Sequence, residues 1–139
     1  MRTSRRAVLL GGLALSVAAC GRRSDVPAVQ AALRSAVEAL PEHVDGLVQY
    51  QDSGSAGTTI GGVLTLQVAD RAAVSASLER VLETVARTYR DQADVRTAFV
   101  RVEAQPADDS ATRVLTTEVV APSEGANTTT DDLDAHFDL

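Results

Sequence analysis

Val74-Ser-Ala-Ser-Leu78-Glu-Arg-Val81-Leu82-Glu-Thr-Val85-Ala-Arg-Thr-Tyr89 decides the reading of this chain. Val74, Leu78, Val81, Leu82, Val85 and Tyr89 fall on one stripe of a helix over four turns. Arg80, Glu83, Arg87 and Arg90 occupy the other side and read as a solvated face. Glu83 precedes Arg87 by four residues, the order that favours a helix. Asp70 stands where an N-cap belongs. The spacing predicts a helix over 70–90 with one apolar stripe, and such a stripe needs a second surface to cover it.

A second helix precedes it. Val29, Leu33, Ala36, Val37 and Leu40 recur at helical spacing, with Ser24 or Asp25 as cap, Pro27 in the first turn and Pro41 as terminator. Between and after the helices the chain turns β-branched. Val44 to Gln51 leads through Asp52-Ser-Gly-Ser-Ala-Gly57 into Thr58 to Val68, a hairpin with a glycine-rich turn. Ile60, Leu64, Leu66 and Val68 share one face of its second strand. Gly61-Gly62 within that strand marks a bulge or close packing. Val95 to Ala104 and Thr112 to Val120 form another hairpin around Gln105-Pro-Ala-Asp-Asp-Ser110. In its first strand Ala98, Val100 and Val102 alternate with Thr97, Phe99 and Arg101, which leaves the buried face open.

The order helix–strand–strand thus occurs twice. Val29-Gln-Ala-Ala-Leu33 aligns with Val74-Ser-Ala-Ser-Leu78, and Glu38 with Glu83. An ancient duplication and chance similarity of Ala- and Val-rich helices both account for that match. Either way the expected fold is α+β: two αββ units over residues 26–120, giving a four-stranded antiparallel sheet with two helices on one face.

The start of the chain has a different character. Arg2, Arg5 and Arg6 form a positive stretch, Ala7 to Leu15 is apolar, and Val17-Ala18-Ala19 precedes Cys20. The apolar run is shorter than the roughly 20 residues a spanning helix needs. Residues 1–19 resemble a bacterial lipoprotein signal peptide, and Leu15-Ser-Val-Ala-Ala-Cys20 resembles a lipobox. Ser4-Arg5-Arg6-Ala7-Val8-Leu9 is similar to a twin-arginine export signal, with Arg5 and Arg6 as the pair and the general secretory route as the alternative. The resemblance implies cleavage before Cys20 and a palmitate-type diacylglycerol thioether on its sulfur. It also implies location on the outer face of the cytoplasmic membrane, held there by at least two acyl chains. Residues 20–25 then form a lipidated tether, and Arg22 and Arg23 add a modest attraction to anionic headgroups.

Cys20 is the only cysteine, so the domain has no disulfide, thiol nucleophile or thiolate metal site. There is no lysine; without Arg2, Arg5 and Arg6, ten arginines face 19 acidic residues. That balance argues against nucleic-acid binding. The all-arginine, Ala- and Val-rich composition is similar to that of high-GC actinobacteria, and the domain resembles small lipoproteins from them, a likeness that brings no activity with it. Residues 121–139 hold Glu124, Asp131, Asp132, Asp134 and Asp138 and no arginine, which predicts a disordered acidic tail.

Little in the domain points to chemistry. His43 lies between Glu42 and Asp45, a setting for a base or a metal ligand that reads more simply as a polar helix-to-strand turn. His136 lies among Asp131, Asp132, Asp134 and Asp138, but the central Gly and final Glu of a calcium loop are missing. No nucleophile elbow, phosphate loop or dinucleotide fingerprint is present. The expectation is a non-enzymatic interaction module of the cell envelope, without cofactor or metal. It would dock an envelope protein or peptide through a sheet face or an edge strand. The alternative is a small-ligand carrier or small enzyme with a cavity between helices and sheet, near His43 and Tyr89.

Overall fold

Cap chemistry places both long helices. Asp25 accepts the Ala28 amide at 3.1 Å and opens α1, Val26–Glu38. Asp70 accepts the Ala73 amide at 2.8 Å and opens α2, Arg71–Arg90. In the computed structural model, which describes residues 22–139, the strands are β1 (His43–Asp45), β2 (Gln49–Ser53), β3 (Gly57–Leu66), β4 (Phe99–Pro106) and β5 (Val114–Leu115). Two short helices, α3 (Thr116–Val119) and α4 (Thr130–His136), complete the described elements. Arg5, Arg6 and Cys20 lie outside the described residues.

The class is α+β, with an open five-stranded sheet and four helices among the described residues. The sheet runs β1-β3-β4-β5, and β2 also pairs with β3, beyond β1 along the same side. The two expected hairpins are antiparallel, β2 with β3 and β4 with β5. The expectation of an antiparallel sheet throughout fails at its centre. β3 and β4 are parallel over eight register pairs, from Thr59↔Phe99 to Leu66↔Pro106. The reason is the connection. α2 carries the chain back along the sheet, so the next strand must run in the same direction as the one before it.

The four expected strands become five because Val44 to Gln51 does not pair continuously. A register irregularity falls between His43 and Asp45, and the ladder is interrupted over residues 46–48. There the chain passes so close to β3 that a Cβ on Gly62 would lie 2.2 Å from the Leu47 carbonyl oxygen. Close packing is therefore why a glycine stands at that position. At the other end, Thr116–Val119 leaves the last expected strand and turns helical.

The helices cover one face of the sheet. Val29, Leu33 and Val37 of α1 and Val74, Leu78, Val81, Leu82 and Val85 of α2 are buried against Tyr50, Ile60, Leu64 and Leu66. On β4 the buried set is Ala98, Val100, Val102 and Ala104, which settles the face that the alternation left open. Phe99 and Arg101 point the other way.

The expected disordered tail is ordered instead. Thr129 and Asp132 form a reciprocal capping box at α4, and Leu133 is fully buried in the core. Burial opposes the ionisation of Asp132. Hydrogen bonds from Ser123 and Thr129 outweigh it and hold the carboxyl below the usual range. Three hydrogen bonds to one carboxylate and one buried leucine do what a periodic stripe would have done.

Asp52 ties the start of the domain to its sheet. Its side chain is 2% exposed and pairs with Arg96. Ser24 donates to its Oδ2 at 2.7 Å, Thr58 donates to its Oδ1 at 3.2 Å, and Ser24 Oγ also meets the Tyr50 hydroxyl at 2.7 Å. Beside them the Tyr50 and Tyr89 rings lie 5.7 Å apart, and Tyr89 donates to the Arg96 carbonyl at 2.6 Å. Desolvation pushes the Tyr89 hydroxyl well above its ordinary value. The hydrogen bonds from Ser24 and Arg96 lower the Asp52 carboxyl from 3.8 to about 2. Between those values the unfolded chain binds the extra proton, so this carboxylate's contribution to stability is present above pH 3.8 and is lost as pH falls toward 2. Asp52→Asn should lower the melting temperature at neutral pH, with the deficit shrinking between pH 4 and 2. Thermal unfolding of both chains across that range checks it, and a deficit independent of pH would show that the carboxylate is not ionised in the fold.

Candidate functional site

A sheet rim carries outward N–H and C=O groups that must find partners, and an unfilled rim is the usual docking point for an added strand. Here side chains fill much of it. On β2, Gln30 of α1 donates to the Val48 carbonyl at 2.6 Å and accepts the Tyr50 amide at 2.6 Å. One side-chain amide thus sits where the peptide group of a neighbouring strand would sit. On β5, the Arg113 carbonyl accepts from Arg71 at 3.1 Å and the Leu115 amide donates to Glu118 at 2.7 Å. Arg71 and Glu118 are themselves an ion pair, so the cap is a single charged unit.

Along β4, beyond the reach of β5, threonines take over. The Thr116 hydroxyl donates to the Val102 carbonyl at 2.6 Å and accepts its amide at 3.1 Å. Thr130 Oγ1 accepts the Ala98 amide at 3.0 Å. The backbone of 128–130 completes the row, receiving the Val100 amide at the Thr128 carbonyl (2.8 Å) and donating the Thr130 amide to Ala98 (2.9 Å). These groups sit on the β5 side of β4 because Ala98, Val100, Val102 and Ala104 alternate with residues bonded to β3. These stretches of β2, β4 and β5 therefore offer little backbone to a partner strand, and the second expected docking surface is the sheet face.

That face opposes the helices and carries four cross-strand rows. Gln51, Thr59 and Phe99 form the first, Gln49, Gly61 and Arg101 the second, Val63, Glu103 and Leu115 the third, and Asp45, Thr65 and Gln105 the fourth. Phe99 is 42% exposed, Leu115 40% and Val63 39%. Of the chain's 19 acidic residues only Asp45 and Glu103 occupy strand positions here, and Glu103 is paired with Arg113 at 3.0 Å. A large surface thinned of charge and holding exposed apolar side chains has the composition of an interface core.

The candidate histidines are not drawn into this surface. His43 Nε2–H donates to the Gly46 carbonyl at 2.8 Å and so holds the turn between β1 and β2. His136 meets Glu79 at 3.0 Å at the surface, and its ring packs edge-on against Phe137. Among the described residues no group of three or more His, Cys, Asp or Glu is placed to hold a metal ion. Among the described residues, three surface clefts stand out. One of about 250 Å³ runs from Arg101 and Leu115 to Asn127. One of about 190 Å³ lies beside Phe99 and Arg96. One of about 270 Å³ lies between Tyr89 and α4. Tyr89 thus borders a cleft, His43 borders none of the three, and none lies between the helices and the sheet, where the packed aliphatic side chains are. Sequence reasoning passed over Arg101, Phe99 and Asn127; the β4 alternation was the one signal that placed the first two together.

In comparisons with known proteins, no family model, no curated protein and no solved structure matches this chain.

The capped rim can be tested directly. Gln30→Ala leaves the Val48 carbonyl and Tyr50 amide without their partner, which should cost about 1–3 kcal/mol. It should also create a concentration-dependent dimer or larger species on size-exclusion chromatography, because the bared β2 edge can pair with another copy. A variant that is as stable and as monodisperse as the parent would show that Gln30 does not guard the edge.

Proposed function

We propose that this chain is a membrane-anchored extracytoplasmic lipoprotein acting as a non-enzymatic binding module, and that the open sheet face is its docking surface. The observation that carries the reading is the contrast between rim and face. Backbone groups along β2, β4 and β5 are capped by Gln30, Arg71, Glu118, Thr116 and Thr130, while Phe99, Val63 and Leu115 stay exposed on a face whose strand positions hold two acidic residues, Asp45 and Glu103. Capped stretches of edge beside a face that leaves three apolar side chains in water suit that face to being covered by a partner. The anchoring half of the proposal rests on Arg2, Arg5 and Arg6, the apolar run and Cys20. Among the described residues no helix is long and apolar enough to cross a membrane.

Two experiments divide the proposal. Cys20→Ala should move the chain from the membrane fraction to the soluble fraction or leave it as an unprocessed precursor; a variant both processed and membrane-bound removes the anchor. For the face, a photo-crosslinking amino acid is placed at Val63, Phe99 or Leu115 and, as control, at Arg34 or Glu83 on the helical side. On intact cells the three sheet positions should give one shared crosslinked product that the helical positions do not. Crosslinks spread equally over both sides, or confined to the helices, would move the docking surface elsewhere.

A further inference from the structure

Arg101 stands on the open face, in the row between those of Phe99 and Val63. Gly61 is its register partner on β3, and Gln49 lies across Gly61 on β2. With no side chain at Gly61, the face dips beside the Arg101 stem; a Cβ there would come within 3.8 Å of the Arg101 Cβ. On the other side Arg101 Nε donates to Asn127 Oδ1 at 3.2 Å. That contact fixes the plane of the guanidinium, while its two Nη groups make no hydrogen bond to the described residues. Arg101 also has no carboxylate partner among them. Glu103, two residues on, is held by Arg113 at 3.0 Å. An oriented guanidinium with both terminal nitrogens free is suited to two-point binding of a carboxylate.

Apolar groups flank this cation on both sides. Phe99 lies one row before it and Val63 with Leu115 one row after, and successive rows on a strand face are about 6.6–6.8 Å apart. In an extended segment, side chains two residues apart project to the same side at the same spacing. The cleft of about 250 Å³ that Arg101 shares with Glu103, Leu115, Thr117, Ala126 and Asn127 gives one of the flanking groups a place to enter.

We propose that the open face binds an extended segment of a partner protein in which an Asp or Glu lies between two apolar residues, in the pattern apolar–x–acid–x–apolar. The carboxylate pairs with Arg101, and the apolar side chains cover Phe99 on one side and Val63 and Leu115 on the other. The inference rests on the reading of this face as the docking surface and names the chemistry of what docks there. Charge decides against a second copy as occupant: the strand positions of the face offer Asp45 and Glu103 as carboxylates, and Glu103 is already paired.

The test uses the processed full chain purified from membranes in detergent and a displayed library of random heptapeptides as probe. Selected peptides should be enriched in an acidic residue with apolar residues two positions before and after it. For a synthetic peptide of that pattern, Arg101→Gln should weaken binding roughly ten- to a hundredfold. Arg101→Glu should select peptides with Lys or Arg in place of the acid, and Arg87→Glu, on the helical side, should change neither result. Arg101 is exposed, and its variants are expected to keep the fold, which their circular-dichroism spectra check. Selection without acidic enrichment, no selection above background, or an Arg101→Gln variant that binds as the parent does would each overturn the inference. So would sedimentation showing a concentration-dependent dimer that Arg101→Glu abolishes, since the occupant would then be a second copy. The crosslinking from Val63, Phe99 and Leu115 reports on the docking face whatever the peptide's chemistry, so failure here and failure there remain distinct.

Discussion

The parallel pairing of β3 with β4 is the constraint on which the remaining structure depends. It joins two antiparallel hairpins into one sheet through eight consecutive register pairs. It can form only because α2, 20 residues long, returns the chain along the sheet before β4 begins. The same crossing puts α2 beside α1 on one face, so that both apolar stripes meet a single layer of Ile60, Leu64, Val100 and Val102. Once both helices lie on that face, the other has no cover of its own. The open face is thus a consequence of topology before it is a matter of function.

A sheet built this way ends in edges, and the chain closes them with whatever lies nearest. α1 is close enough to β2 for Gln30 to reach its backbone. α2 begins close enough to β5 for Arg71 to cap it together with Glu118. β5 is too short to cover β4, and the segment after α3 supplies Thr128 and Thr130 instead. This explains why residues 121–139 are ordered despite their composition. Their order comes from hydrogen bonds to a neighbouring strand and from one buried leucine, Leu133, neither of which leaves a period in the sequence.

What could be read from the sequence divides along the same line. The stripe Val74–Tyr89, the caps Asp25 and Asp70 and the Glu83–Arg87 pair are local, and local spacing reports them faithfully; of the two hairpins it reports the turns but not the extent of the outer strands. The parallel joint, the break at residues 46–48 and the ordered tail depend on partners 15 or more residues away, which no short window of spacing contains. The candidate surface was half legible. Alternation on β4 separated Ala98, Val100 and Val102 from Phe99 and Arg101 but could not say which set faced water. Arg101 became a candidate only when Gly61 and Asn127, 40 residues before and 26 after it, were seen to lie at its two sides. His43, conspicuous in sequence, holds a turn because the Gly46 carbonyl needed a donor.

The clamp at Asp52 bears on how the face would be presented. Ser24 is fixed to Tyr50 and Asp52, so the folded domain begins four residues after Cys20. Four residues span at most about 14 Å even when fully extended. With Cys20 lipidated as proposed, the domain would be held within that distance of the membrane surface by the end that contains Ser24, Asp52 and Arg96. Such a domain cannot search a wide volume on a long leash. Under the proposed anchoring its sheet face would meet partners confined to the same thin layer, where two proteins held at one surface encounter each other at a high effective concentration. A modest interface suffices under that condition. A shallow dip at Gly61, one oriented arginine and three half-exposed apolar side chains are then adequate for recognition, where free diffusion would demand a deeper pocket.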